Sequence, residues 1–166
     1  MAFHGRSGHL LNSTGTYSVE LLKKSDLYGG EGGGEFDDKA DIKTPPIVRI
    51  SAIHVWSALL VDAIQVEYLL VGGNFLLGNK HGEGNSNNLT TVTFAEGEEL
   101  VGLEGQTGDN YVDQISFITK KQDGSDGKYG PFGRIGKETF TISGKILGFY
   151  GFSGLLIDKI GAYYIF

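Results

Sequence analysis

The chain has no cysteine, three prolines, one methionine and one tryptophan among its 166 residues. Without cysteine there is no disulfide framework, no zinc–thiolate centre and no thiol nucleophile. Proline is too scarce for a collagen-like or polyproline chain. Positive charge is also in deficit: 14 Lys and Arg stand against 20 Asp and Glu, a net charge of −6. That balance argues against a general binder of nucleic acid or anionic membranes. Long apolar runs are missing as well. The longest uncharged apolar stretch, Ile146–Ile157, stops well short of the ~20 residues a membrane helix needs, so no membrane insertion is expected. Met1–Leu10 has no apolar core of a signal peptide. The chain reads as soluble, and as secreted only if a leader has been removed. In that case the triplets Asn12-Ser13-Thr14 and Asn88-Leu89-Thr90 would become glycosylation acceptors.

Glycine, in contrast, is in excess: 27 residues against an ordinary share of ~7%. Helical periodicity is nearly absent, and β-rich runs bounded by Gly, Asn and Asp recur instead. They are Tyr17–Leu22, Ile47–Trp56, Asp62–Leu70, Leu89–Phe94, Glu99–Glu104, Asp113–Thr119, Thr139–Ser143, Lys145–Gly151 and Asp158–Ile165. Short strands at this spacing predict an all-β sandwich, barrel or prism.

The chain also repeats itself. Leu60-Val61-Asp62-Ala63-Ile64, Tyr111-Val112-Asp113-Gln114-Ile115 and Leu156-Ile157-Asp158-Lys159-Ile160 share one pattern: two apolar residues, Asp, any residue, Ile. An apolar strand precedes each block and an alternating strand follows it. One strand–loop–strand unit used three times predicts a pseudo-threefold body. Glycine-rich loops recur with it, at 28–34, 80–85 and 129–136. Either tight turns or close approach to another group explains them.

Motifs that suggest catalysis fail on inspection. Gly151-Phe152-Ser153-Gly154 lacks the closing glycine of a nucleophile elbow, which is Leu155. Gly136-Lys137 follows no phosphate-binding loop, since Pro131 and Glu138 break the pattern. Asp123-Gly124-Ser125-Asp126-Gly127 lacks the calcium loop's terminal Glu, which would fall at Arg134, and reads as a solvated hairpin turn. The four histidines show no metal-ligand spacing. The sequence therefore predicts no enzyme, no metal and no cofactor.

Three segments resemble one family. They are Gly29-Gly30-Glu31-Gly32-Gly33-Gly34-Glu35-Phe36-Asp37-Asp38, Lys128-Tyr129-Gly130-Pro131-Phe132-Gly133, and the block from Gly148 to Tyr163 with its G-F-x-G-x-S-G-x-x-x-D-x-I-G-x-Y pattern. In this order they are similar to the jacalin-related lectins, over residues 27–166. The resemblance implies a β-prism I fold, with three four-stranded Greek-key sheets about a pseudo-threefold axis. Residues 1–26 are then an N-terminal extension in which Tyr17–Leu22 would add a strand.

The family binds sugar between two loops at one end of the prism. Carried onto this chain, the glycine of the first loop is Gly33, the backbone donors of the second are Leu155 and Leu156, and the carboxylate is Asp158. An ionised Asp accepts two charge-assisted hydrogen bonds from neighbouring sugar hydroxyls, and backbone N–H groups supply the matching donors. A turn aspartate bonded to its own backbone explains the recurrence at three places equally well. The resemblance allows two further sites, since some members of the family use two or three equivalent loops. One is Asn110, Tyr111 and Asp113 with the loop 130–136; the other is Leu59, Leu60 and Asp62 with the loop 81–88. Counted back from each Asp, the loop glycine is replaced by Asp109 and by Ala58.

In the galactose-preferring branch, cleavage frees an amino group at the position of Gly33. Here residues 1–32 run uninterrupted into it, which resembles the mannose/glucose branch. The expected partners are mannose- or glucose-containing glycans, with no nucleic acid, and a homodimer is the expected assembly. The competing expectation is a structural or matrix interaction module whose apolar loop residues Leu155, Leu156, Ala58 and Leu59 bind protein.

Overall fold

The computed structural model describes residues 22–43 and 46–166. The strands are β1 (Lys23–Lys24), β2 (Tyr28–Gly29), β3 (Gly34–Asp37), β4 (Ile47–Ser57), β5 (Val61–Leu70), β6 (Phe75–Leu77), β7 (His81–Gly82) and β8 (Leu89–Thr93). They continue with β9 (Glu99–Thr107), β10 (Val112–Lys120), β11 (Asp126–Gly133), β12 (Glu138–Ser143), β13 (Lys145–Ser153) and β14 (Ile157–Ile165). One short helix, α1 (Lys39–Lys43), follows β3.

All pairings are antiparallel and fall into three sheets of one Greek-key design. Sheet I joins the first and last described strands in the order β1-β14-β13-β3, sheet II runs β6-β5-β4-β8, and sheet III runs β11-β10-β9-β12. In sheets I and II one outer position is shared by two short strands: β2 also pairs with β14, and β7 with β5. The three central hairpins, β4–β5, β9–β10 and β13–β14, are the three repeats of the sequence. The expected β-prism with three four-stranded Greek-key sheets is the architecture found.

The sequence period explains the interior. Alternate residues of a strand face opposite sides, and the inward set is aliphatic or aromatic. Ile53, Val55, Ile64, Val66, Leu103, Ile115, Phe117, Phe149 and Ile160 are all 2% exposed or less. They form one contiguous cluster shared by the three sheets. At ~1.5–3 kcal/mol for each such side chain, this cluster is the main favourable term in folding.

Each seam between sheets carries a pair of rings. Tyr28 stacks on Phe140 across I and III at 4.7 Å. Phe36 stacks on His81 across I and II at 4.2 Å. Phe94 meets Tyr129 across II and III at 5.7 Å. Two seams also bury a carboxylate. Asp38 accepts from the Phe149 N–H at 2.9 Å and meets His81 Nε2 at 2.6 Å. Glu98 accepts from the Thr119 hydroxyl at 2.6 Å, the Ala95 N–H at 2.8 Å and the Tyr129 hydroxyl at 2.8 Å. Burial pushes the Glu98 pKa upward, but these hydrogen bonds, led by Thr119, hold it below its ordinary value.

Several elements differ from the sequence reading. The Tyr17–Leu22 run lies outside the described residues apart from Leu22, which is in coil. Lys23 and Lys24, placed by sequence in the N-terminal extension, pair with Tyr164 and Tyr163 of β14. The segment read as a third glycine-rich loop is largely strand, because β11 runs through Gly133. Helix α1 left no periodic signal. It is fixed locally, by Asp37 Oδ1 accepting from the Lys39 N–H at 2.8 Å and by burial of Ile42.

Removing the Asp38 carboxylate tests the seam between sheets I and II. Asp38→Ala leaves the Phe149 N–H and the His81 ring without their acceptor in a buried site. We expect a loss of about 3 kcal/mol in urea unfolding, against a smaller loss for Asp38→Asn, which keeps one acceptor.

Candidate functional site

The three hairpins end at the same end of the prism, and their geometry follows from β pairing. Ser57 faces Val61 and Ser153 faces Ile157, each enclosing a three-residue loop. Thr107 faces Val112, enclosing four residues. The loop N–H of Ala58 donates to the Leu60 carbonyl at 3.2 Å, that of Gly154 to Leu156 at 3.0 Å, and that of Gly108 to Tyr111 at 3.1 Å. The extra residue corrects the sequence alignment. Gly108, not Asp109, is the counterpart of Gly154, so the second hairpin keeps its loop glycine.

Each outer strand brings a glycine against a repeat aspartate. Gly29 pairs with Lys159, Gly82 with Ala63 and Gly133 with Gln114. All three have positive φ, and a Cβ on them would lie 2.1, 2.1 and 2.0 Å from the main-chain oxygens of Asp158, Asp62 and Asp113. No side chain fits there, which is the reason for the recurring glycine. The hairpin tips then abut the outer loop of the next sheet. The Glu83 N–H donates to the Leu155 carbonyl at 3.3 Å, Gly30 packs on the Asn110 backbone, and Leu60 lines one cavity with Arg134 and Ile135.

Asp158 is 6% exposed, and its carboxylate lies under the glycine-rich loop. A Cβ on Gly33, at φ +72°, would sit 2.6 Å from Asp158 Oδ2 and 2.7 Å from the Ser153 carbonyl carbon. A Cβ on Gly32 would sit 3.0 Å from Oδ1. The structure thus brings Gly33 and Asp158 together. Burial raises the Asp158 pKa, opposed by hydrogen bonds from the Gly154 N–H and its own. Leu155 stands 70% exposed at the loop tip, and Leu156 is half-buried. Lys159, the nearest cation along the strand, pairs with Glu31 at 2.9 Å. Among the described residues, no side chain bonds the Asp158 carboxylate.

The other two aspartates are occupied differently. Asp113 is 6% exposed and faces Arg134, with Nε 3.6 Å from Oδ2. The Arg134 N–H also donates to the Asp113 carbonyl at 3.0 Å. Asn110 and Tyr111 line the cavity beside it, about 410 Å³ in volume, whose rim is tied by Lys137 to Asp109 at 2.5 Å. Asp62 is half-buried; burial raises its pKa and a hydrogen bond from Asn88 lowers it. Its outer loop is closed by Trp56, against which a Cβ on Gly84 would lie at 2.4 Å. Lys80 Nζ caps that ring at 4.1 Å. Leu59 is 71% exposed, and Leu60 is half-buried and turned toward the Asp113 cavity. Sequence reasoning set the loops 130–136 and 81–88 beside Asp113 and Asp62 but did not single out Arg134 and Asn88 within them, because strand register decides which side chain of a loop faces the carboxylate.

Comparison with known proteins agrees with the fold. The profile of the family described as Jacalin-like lectin domain matches residues 25–163. Among curated proteins the chain is 30% identical to an agglutinin of Castanea crenata, over 98% of this chain and 57% of that protein. It is 31% identical to jacalin-related lectin 10 of Arabidopsis thaliana, over 99% of this chain and 52% of that one. The chain thus spans about half the length of these relatives. Among solved structures it superposes on a mannose-binding jacalin-related lectin from Ananas comosus with a TM-score of 0.70 at 30% identity, covering 87% of this chain and 99% of that one. A mannose-specific jacalin-related lectin from Morus nigra, solved in complex with mannose, gives 0.72 at 25% identity, covering 91% and 99%.

The Gly33 packing has a direct consequence. Gly33→Ala places a Cβ against both the Asp158 carboxylate and the Ser153 backbone at a positive φ. We expect a loss of about 2 kcal/mol or more in thermal or urea unfolding. Gly34→Ala, whose Cβ would meet nothing closer than 3.9 Å, should cost much less.

Proposed function

The chain belongs to the jacalin-like lectin family, and from that premise we propose that it is a non-catalytic carbohydrate-binding protein with its primary site at Gly33 and Asp158. One observation carries this reading: Asp158 is the one repeat aspartate whose carboxylate is bonded only by backbone N–H groups, while Asp113 faces Arg134 and Asp62 is bonded by Asn88. Its remaining acceptor capacity is free for vicinal sugar hydroxyls, and the N–H groups of the Gly33 and Leu155–Leu156 loops supply donors at little entropic cost. The sugar class we assign is mannose or glucose, whose O4 and O6 would bridge to Asp158. The mannose-binding and mannose-specific relatives among the solved structures support that choice.

We assign binding to the domain 27–166, to whose sheet I Lys23 and Lys24 of the extension 1–26 add the short strand β1. A single monosaccharide in so shallow a site is expected to bind near millimolar, about −4 kcal/mol. Useful avidity then needs several sites. We propose a homodimer as the assembly, and the cavity at Asn110, Tyr111 and Asp113 as the stronger of the two secondary sites. At Leu59, Leu60 and Asp62 the Asn88 bond opposes sugar binding.

A second reading rests on the apolar side chains of this prism end. Leu59, Leu155 and Ile135 are 71%, 70% and 79% exposed. Such a rim suits a protein partner as well as a glycan, and it makes the chain an interaction module on the same scaffold.

A glycan array with wild type, Asp158→Ala and Asp113→Ala separates the readings. For the lectin, mannose- or glucose-terminated glycans bind, Asp158→Ala weakens them more than about tenfold through loss of charge-assisted hydrogen bonds, and Asp113→Ala does so less. A folded wild type that binds no such glycan favours the interaction module.

The pH dependence has a defined sign. The Asp158 pKa lies above its ordinary 3.8, so the folded protein disfavours the ionised form. Its ionisation therefore lowers stability as pH rises from the unfolded value through the folded one. Sugar needs the ionised form, so affinity falls with acidification, and half is lost at a pH above 3.8. Calorimetric titration of methyl α-mannoside from pH 7 to pH 4 measures this.

A further inference from the structure

The outward faces of the three sheets, compared position by position, differ in what fills them. Counting one residue past each repeat aspartate, the cross-strand triples are Glu35–Phe152–Lys159 in sheet I, Leu89–Trp56–Ala63 in sheet II and Thr139–Gln106–Gln114 in sheet III. Counting three past, they are Asp37–Tyr150–Gly161, Thr91–His54–Gln65 and Thr141–Glu104–Ser116. In sheet I the ring of Tyr150 lies over Gly161, and its hydroxyl donates to the Ser25 carbonyl, so the chain's own segment covers the face. In sheet II Trp56 is buried under Lys80. There His54 bonds Thr91 at 2.9 Å, and Gln65 donates to the Gly78 carbonyl at 2.9 Å.

Among the described residues, sheet III has neither the aromatic nor the cover. What remains is a cleft of about 320 Å³ lined by the side chains of both triples. Gln114, Ser116, Thr139 and Thr141 make no side-chain hydrogen bond to another described residue. Gln106 accepts from the Gly136 N–H at 2.9 Å and keeps its amide donors. The two charges at the cleft neutralise one another, Lys128 to Glu104 at 2.7 Å. Pro131 provides apolar surface beside the polar groups.

We propose that this face of sheet III is a second saccharide-binding cleft, separate from the prism-end loops and independent of Asp158. Amides and hydroxyls are each donor and acceptor, which matches the mixed donors and acceptors of neutral sugar hydroxyls. A charged ligand would have to break the Lys128–Glu104 pair. Water held by unpartnered groups of this kind is replaced by a ligand that reproduces its hydrogen bonds. The volume is at the small end of ligand clefts and suits the end of a short neutral oligosaccharide.

The test is an amide-resolved NMR titration of the full chain with mannotriose and, separately, cellotriose. Wild type, Asp158→Ala, Gln114→Leu and Thr139→Val are compared, the last at an exposed position that tolerates the change. The expected result is saturable shifts at Gln106, Gln114, Ser116 and Thr139 with at least one trisaccharide. They persist in Asp158→Ala and need at least tenfold more sugar in Gln114→Leu or Thr139→Val. Absence of saturable shifts on sheet III with both trisaccharides overturns the proposal. So does their loss in Asp158→Ala, or their persistence at unchanged concentration in both cleft variants. Failure of the Asp158 site alone would instead remove the shifts at Gly33 and Leu155 and leave those on sheet III.

Discussion

The molecule depends on one close approach made three times: a glycine of an outer strand against the carbonyl of a repeat aspartate. At Gly29, Gly82 and Gly133 a single added carbon would fall about 2 Å from that oxygen, far inside contact distance. This steric constraint lets the outer strand reach the second strand of each hairpin beside the aspartate. It also sets the outer loop directly over the hairpin tip. The end of the prism is thereby a ring of loops in which each tip meets the outer loop of a neighbouring sheet. A ligand at this end meets loops held largely by backbone geometry. Preorganisation of this kind lowers the entropic cost of binding a small, highly hydrated ligand.

Charge also plays a structural part inside the seams. Asp38 and Glu98 are buried carboxylates that collect hydrogen bonds from other sheets or segments, and each sits beside a ring pair. Buried and fully bonded, they fix how the sheets meet; unbonded, they would be costly. Asp158 is buried to a similar degree but lacks a side-chain partner. That difference in satisfaction, not in exposure, separates a structural carboxylate from one with capacity to spare.

Much of the architecture was legible in the residues because the central hairpins are built on strict alternation. Ile53, Val55, Ile64 and Val66, or Ile115 and Phe117, announce an inward face by spacing alone, and the recurring Asp-x-Ile blocks announce the threefold use of one unit. The outer strands were not legible in the same way. β2 and β7 are two residues long, and β11 is interrupted by Gly130 and Pro131, so no period can develop. At the site, the pairing of Gly33 with Asp158 came from resemblance to a family and was met by the geometry. The partners that distinguish the three aspartates, Arg134 and Asn88, lie on outer segments whose register the sequence does not reveal. The single-residue lengthening of the 108–111 loop was hidden for a related reason. Counting backward from Asp113 assumes equal loops, and only strand pairing shows that Gly108 holds the turn.

A backbone with threefold repetition offers each surface three times, and its side chains decide which copies are used. At the prism end an arginine faces one carboxylate, an asparagine bonds another, and the third is left to backbone donors. On the outward faces, Tyr150 and Trp56 close two sheets, while Gln106, Ser116 and Gln114 leave the third open. Both patterns have the same physical form. The fold fixes the position, a neighbouring group either satisfies it or does not, and the unsatisfied copy retains hydrogen-bonding capacity that water holds until a better partner arrives. Recognition in this protein is therefore to be sought where its symmetry is broken.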